Sequence, residues 1–182
     1  MKIGIDLDNT ICRTTEIINR KMKDYAENIG VNILDIVNNY DLEHNFFEEN
    51  LERIYADVEI KRNVCDVLRR LKHKGNKLYI ITARRDIFND NTDVLKITKE
   101  WLKKYNIEVD GISIGVYDEG KVRECKNIGI DIMIDDDPVN YKALMAAGIK
   151  CILYDDREKF DMKAYYATSW LEVEEMIEAE RK

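Results

Sequence analysis

The chain opens Lys2-Ile3-Gly4-Ile5-Asp6-Leu7-Asp8-Asn9-Thr10, an apolar run that ends in two carboxylates and a hydroxyl. Residues 2–7 read as a strand buried on both faces, because such strands are near-continuously apolar. The pattern returns at Ile130–Ile134, which runs straight into Asp135-Asp136-Asp137-Pro138. Further strands are expected at Lys77–Ile81, Ile112–Val116 and Ile149–Leu153, the last of these closing the series. Helical stripes separate them over Thr14–Ile29, Val64–Leu71, Asp93–Tyr105, Lys121–Ile128 and Pro138–Ala147. Gly30, Gly75, Gly129 and Gly148 stand just past helices, where a left-handed residue ends the spiral. Ser169 with Glu172 predicts a capping box for a closing helix. Strands separated by helices predict an α/β fold with a parallel sheet covered on both faces.

One connection is too long for a simple crossover: about 69 residues (8–76) part the first strand from the second. Within it, residues 31–57 read as helical in pieces, with Phe46, Phe47, Leu51, Ile54 and Tyr55 as apolar positions. The expected organisation is a core of residues 1–13 and 61–182, with 14–60 inserted as a small helical cap above the sheet.

Ligands in open α/β sheets bind beyond the carboxyl ends of the strands. There the sequence places Asp6, Asp8, Asn9 and Thr10 after the first strand and Thr82-Ala83-Arg84 after the second. Asp135-Asp136-Asp137 follows the fourth, and Lys121 opens the helix before it. Carboxylates so crowded repel or hold protons unless a cation joins them. Mg²⁺ suits an all-oxygen set, and it draws a phosphate ester to the same place. A carboxylate there can attack phosphorus, while its neighbour two residues on serves as acid and then base.

Ile5-Asp6-Leu7-Asp8-Asn9-Thr10, Ile81-Thr82-Ala83-Arg84, Lys121 and Ile134-Asp135-Asp136-Asp137-Pro138 resemble, in order, the four motifs of the haloacid dehalogenase superfamily. The resemblance covers nearly the whole chain and implies a Rossmann-like core. It implies Asp6 as nucleophile and Asp8 as general acid and base. Thr82 and Lys121, with Ala83 and Asn9, would hold the phosphoryl group. Asp135 would bind Mg²⁺ with Asp6 and the carbonyl of Asp8, and Asp136 would stand in the metal's outer shell. The long insertion, the Ile-Thr-Ala-Arg motif and the chain's size also resemble the bacterial 5′(3′)-deoxyribonucleotidase (cytosolic type C) family. Its expected partner is a nucleoside monophosphate. Asn9 and Thr10 depart from that family's usual glycine or glutamate and valine, so a sugar phosphate or another small phosphorylated metabolite stays open. A receiver-like phospho-acceptor module is the non-catalytic alternative. It lacks both the insertion and the Asp-x-Asp spacing.

Some residues carry two readings. Asp137 before Pro138 has the arrangement of a helix N-cap. Lys126 rivals Lys121, although helix-start position favours Lys121. Arg84 either reaches substrate phosphate or pairs with a neighbouring carboxylate. Tyr25, Tyr40, Phe46, Phe47 and Tyr55 either stack on a nucleobase or form the insertion's own small core.

Composition narrows the rest. A chain of 182 residues with 45 % apolar and 36 % charged residues can bury a core unaided. The net charge of −7 argues against a nucleic-acid polymer as partner. No apolar run approaches the ~18 residues of a membrane span, and Lys2 and Asp6 interrupt any signal-like start. Four scattered cysteines and two histidines lack zinc-ligand spacing. A cytoplasmic location with free thiols is expected, and oligomeric state is left open.

Overall fold

In a computed structural model, residues 1–86, 92–117, 119–157 and 165–180 are described, and six strands form one sheet. These are β1 (Lys2–Ile5), β2 (Lys77–Ile81), β3 (Gly111–Ser113), β4 (Ile132–Asp135), β5 (Lys150–Tyr154) and β6 (Tyr166–Ala167). All pairings are parallel, in the order β3-β2-β1-β4-β5-β6. Strand order therefore reverses between β1 and β4, and a crevice for ligands opens at such a switch point. Ile3, Ile5, Ile132 and Ile134 are fully buried, as strands covered on both faces require. Gly4 allows β4 to lean close. A Cβ there would stand 2.6 Å from Met133 Sδ.

The helices are α1 (Thr14–Ile29), α2 (Ile33–Val37), α3 (Tyr40–Asp57), α4 (Val64–His73), α5 (Val94–Lys104), α6 (Glu119–Ile128), α7 (Pro138–Ala146) and α8 (Trp170–Ala179). Gly30, Gly75, Gly129 and Gly148 all take positive φ. Ser169 caps α8 by accepting from the Glu172 N–H at 3.3 Å. The Glu172 carboxylate reaches past it to the Thr168 N–H and hydroxyl, at 2.7 and 3.0 Å.

Two strand readings need correction. β3 ends at Ser113 rather than Val116, because Gly115 turns left-handed at φ 68° and carries the chain out of the sheet. β5 is not the last strand, since Tyr166–Ala167 adds a two-residue edge, too short to leave any periodicity.

The inserted helices leave and return through a paired stalk. The Arg13 N–H donates to Glu59 O, and the Lys61 N–H to Ile11 O, both at 2.9 Å. Their apolar positions do not close on themselves. Ile17, Phe46, Leu51 and Ile54 belong to the same cluster as Ile5, Leu7 and Trp101. The cause is α3, which lies along α5, and Trp101 Nε1 donates to Val58 O at 2.8 Å.

Candidate active site

Beyond β1 the chain turns at once, with Thr10, Ile11 and Cys12 N–H groups all donating to Leu7 O. Asn9 makes this turn possible by taking φ 59°, a conformation asparagine tolerates better than most residues. Its side chain is then committed, since Oδ1 accepts from the Thr15 N–H at 2.9 Å and starts α1. Trp170 on α8 holds the same turn, its Nε1 donating to Thr10 O at 3.1 Å.

A cavity of about 410 Å³ opens at the switch point. Asp6, Asp8, Thr82, Ala83, Lys121, Asp135 and Asp136 all line it, so three strand ends and one helix start meet there. The Lys121 ammonium sits between Asp6 Oδ1 at 2.8 Å and Asp135 Oδ2 at 2.6 Å. Thr10 Oγ1 lies 3.1 Å from Asp136 Oδ1 and 3.4 Å from Asp6 Oδ2. Thr82 is fully buried, and its Oγ1 accepts from the Arg84 N–H at 3.3 Å, leaving its own proton to donate. Lys126 is exposed and does not line this cavity, whereas Lys121 does. Asp137 accepts from the Val139 N–H at 2.8 Å and caps α7.

Two lining residues escaped the sequence reading. Asn140 donates through Nδ2 to both oxygens of Asp135, at 3.2 and 3.3 Å. It stands in the first turn of a helix that follows an acid cluster, and that position was a usable signal. Arg157 follows β5, where the strand-end rule also pointed. Asp155 accepts its N–H at 3.0 Å, and the stalk is pinned nearby by Lys61 on Asp156 at 2.7 Å.

Arg84 takes the second of its two readings. Its guanidinium is buried and grips Asp8, with Nε 3.0 and 3.1 Å from the two oxygens and Nη2 2.8 Å from Oδ1. Of the insertion's aromatic residues, none lines this cavity. Phe46 and Tyr55 are buried, Tyr55 over the Arg84 guanidinium, and the half-buried Tyr25 and Phe47 meet Phe46 edge-on. Tyr40 is exposed beside His44.

Electrostatics separate the two acids of the first motif. Burial raises the Asp6 pKa to about 8, with Asp135, Asp136 and Asp8 adding to the rise and Lys121 opposing it. Burial and Asp135 lift Asp136 to about 7. For Asp8, burial is outweighed by the charge and hydrogen bonds of Arg84, with help from Thr14 and Cys12, so its pKa falls below the usual value. The cluster thus lacks positive charge, and all its donors are hard oxygens, which fits a hard divalent cation. Among the described residues no three carboxylates are already gathered as a ligand set, and the Lys121 ammonium stands between two of them.

This charge deficit predicts a pH dependence. Asp6 and Asp136 bind protons more tightly folded than unfolded, so their contribution to stability is full below about pH 4. It is lost as pH rises through about 7 and about 8. Asp8 acts in the opposite sense, but only at acid pH, where its depressed pKa is crossed. Chelator-treated protein is therefore expected to have a lower urea midpoint at pH 9 than at pH 5. A midpoint that holds or rises across that window contradicts the assignment.

The model of one protein family, 5′ nucleotidase, deoxy (Pyrimidine), cytosolic type C protein, matches residues 1–182. A protein of Chlorobaculum tepidum named "Putative 5′(3′)-deoxyribonucleotidase" is 27 % identical over 190 residues, which span 97 % of this chain and 90 % of that protein. Among solved structures, a haloacid dehalogenase-like hydrolase of Streptococcus pneumoniae superposes with a TM-score of 0.67 at 15 % identity, covering 94 % of this chain and 95 % of its own. A superfamily hydrolase of Geobacter sulfurreducens, subfamily IA, gives 0.66 at 15 % identity, covering 97 % and 98 %. These structures are similar in fold.

Proposed function

Because the chain belongs to the cytosolic type C 5′-nucleotidase family along its whole length, we propose that it hydrolyses deoxyribonucleoside monophosphates through a phosphorylated Asp6. The chain is a phosphoric monoester hydrolase with the haloacid dehalogenase fold. The observation that carries the mechanism is Lys121 holding Asp6 and Asp135 in one buried cluster at the sheet's switch point.

An Asp6 carboxylate oxygen bonds to phosphorus as the bond from phosphorus to the leaving oxygen breaks. Asp8 gives its proton to that oxygen, then takes one from the water that attacks the acyl phosphate, and Asp6 and inorganic phosphate are released. Arg84 favours ionised Asp8, the form the second step uses. Thr82 and Lys121 donate to the phosphoryl oxygens, beside the exposed backbone at Ala83. Asp6, Asp135 and the Asp8 carbonyl would hold Mg²⁺, with Asp136 outside them. When bound, the ion supplies the positive charge that lets a phosphate dianion approach this cluster. Asn140 keeps the Asp135 carboxylate turned inward.

The test is a screen of 5′- and 3′-deoxynucleotides, ribonucleotides and sugar phosphates, each with Mg²⁺ and with EDTA. A deoxynucleotide should have the highest kcat/KM, and EDTA should silence turnover that Mg²⁺ then restores. A preference for sugar phosphates defeats the substrate assignment. Full activity in EDTA defeats the metal.

A further inference from the structure

We propose that Arg84 is a positioning residue for Asp8, fixed in turn by Tyr55 of the inserted helix α3. The inference rests on the reading of Asp8 as the group that exchanges protons with the leaving oxygen.

The arrangement is two-pronged. Nε and Nη2 together make three contacts of 2.8 to 3.1 Å with the two Asp8 oxygens, which fixes the plane of the carboxylate as well as its place. Thr14 Oγ1 adds a bond to Oδ1 at 2.5 Å. The guanidinium itself is held by faces: the Tyr55 ring centre lies 4.7 Å from Cζ, and the Trp101 ring centre 5.9 Å. Tyr55 comes from the insertion and Trp101 from α5, so the seating of α3 on the core decides where the fork points. The main chain of Arg84 is tied down as well. Its N–H donates to Thr82 Oγ1 and its carbonyl accepts from the Gly115 N–H at 2.7 Å. One residue therefore spans the proposed proton-transfer carboxylate and the proposed phosphoryl-binding hydroxyl.

Stability alone accounts poorly for this pair. Arg84 Nη1 is buried without a hydrogen-bond partner, an outright cost. Buried ion pairs are commonly no better for stability than apolar packing of the same volume. What the fork supplies that apolar packing cannot is orientation of a carboxylate that is still partly open to the cavity. Lysine, a single point charge on a flexible stem, would keep the charge and lose the plane.

The experiment measures release of the leaving group in a single turnover for a deoxynucleotide and for p-nitrophenyl phosphate. The aryl leaving group departs without much help from an acid, whereas the sugar alkoxide needs it. Arg84→Lys should slow the deoxynucleotide step by about 100-fold and the aryl step by less than about threefold, with KM little changed. Tyr55→Leu should reproduce the pattern at about tenfold, and Tyr55→Phe, which keeps the ring face and gives up only the hydroxyl's hydrogen bond with the Arg85 backbone, should stay within about threefold of the parent on both substrates. The Tyr55 pair decides the matter if Arg84→Lys does not fold. Equal losses on both substrates would mean a structural role only and overturn the proposal. Asp8→Asn serves as the reference. If it is steep while Arg84→Lys and Tyr55→Leu are flat, the positioning inference alone falls. If Asp8→Asn is itself flat, the acid assignment falls and takes the inference with it.

Discussion

Asp6→Asn is expected to abolish turnover, with kcat down by a factor of order 10⁵ or more, the scale seen when a covalent nucleophile is deleted. The amide is a poor nucleophile, and it also removes the negative charge that Lys121 meets at 2.8 Å. Stability should move the other way. Burial, with the neighbouring acids, pushes the Asp6 pKa up to about 8, so its negative charge is costly in the ion-free protein. Replacing a carboxyl that strains against its charge by a neutral isostere should leave Tm unchanged or raise it in chelated protein. A folded, inert variant that yields no acid-stable phosphoprotein on quenching with labelled substrate is the expected outcome. Residual turnover above about one per cent of the parent, far beyond what a missing nucleophile permits, would leave a water attacking phosphorus directly.

Most of the architecture was legible because burial on both faces writes itself into sequence. Ile3, Ile5, Ile132 and Ile134 are apolar and fully buried, and acids stand at the sheet edge, Asp6 just past β1 and Asp135 as the last residue of β4. The same rule located Asp6, Asp8, Thr82, Asp135 and Asp136 in one cavity, because strand ends in a parallel sheet share one edge, and Lys121 joins them from the first turn of α6. What did not show was decided by contacts between distant segments. The partner of Arg84 lies 76 residues away, and an arginine's choice between phosphate and carboxylate depends on which arrives within reach. The insertion's aromatic residues allowed either a base-binding face or a small core of the insertion's own. The packing of α3 on α5 instead turned Phe46 and Tyr55 inward, a tertiary choice that helical periodicity cannot express. At Asn9 the part that helical and strand patterns do not express is conformation: a left-handed turn needs a residue that tolerates positive φ.

Lys121→Met should cost both activity and stability, and the two losses should part company with pH. The ammonium is 3 % exposed and neutralises Asp6 and Asp135 at 2.8 and 2.6 Å. Removing one partner from a buried pair leaves the other charge unpaired, typically at about 3–5 kcal/mol. Here the stranded groups can retreat by taking protons, since Asp6 and Asp136 titrate at about 8 and about 7 even with Lys121 present. Without it their proton affinity rises further, so the destabilisation should be small at pH 5 and large at pH 9. Turnover should fall by a factor of order 10²–10³ at every pH, because the donor aimed at the phosphoryl group is gone whatever the carboxylates hold. Urea midpoints at the two pH values, with kcat at each, separate the roles. A destabilisation of equal size at pH 5 and pH 9 would show that Lys121 does not balance this cluster. Its place between Asp6 and Asp135 would then need another cause.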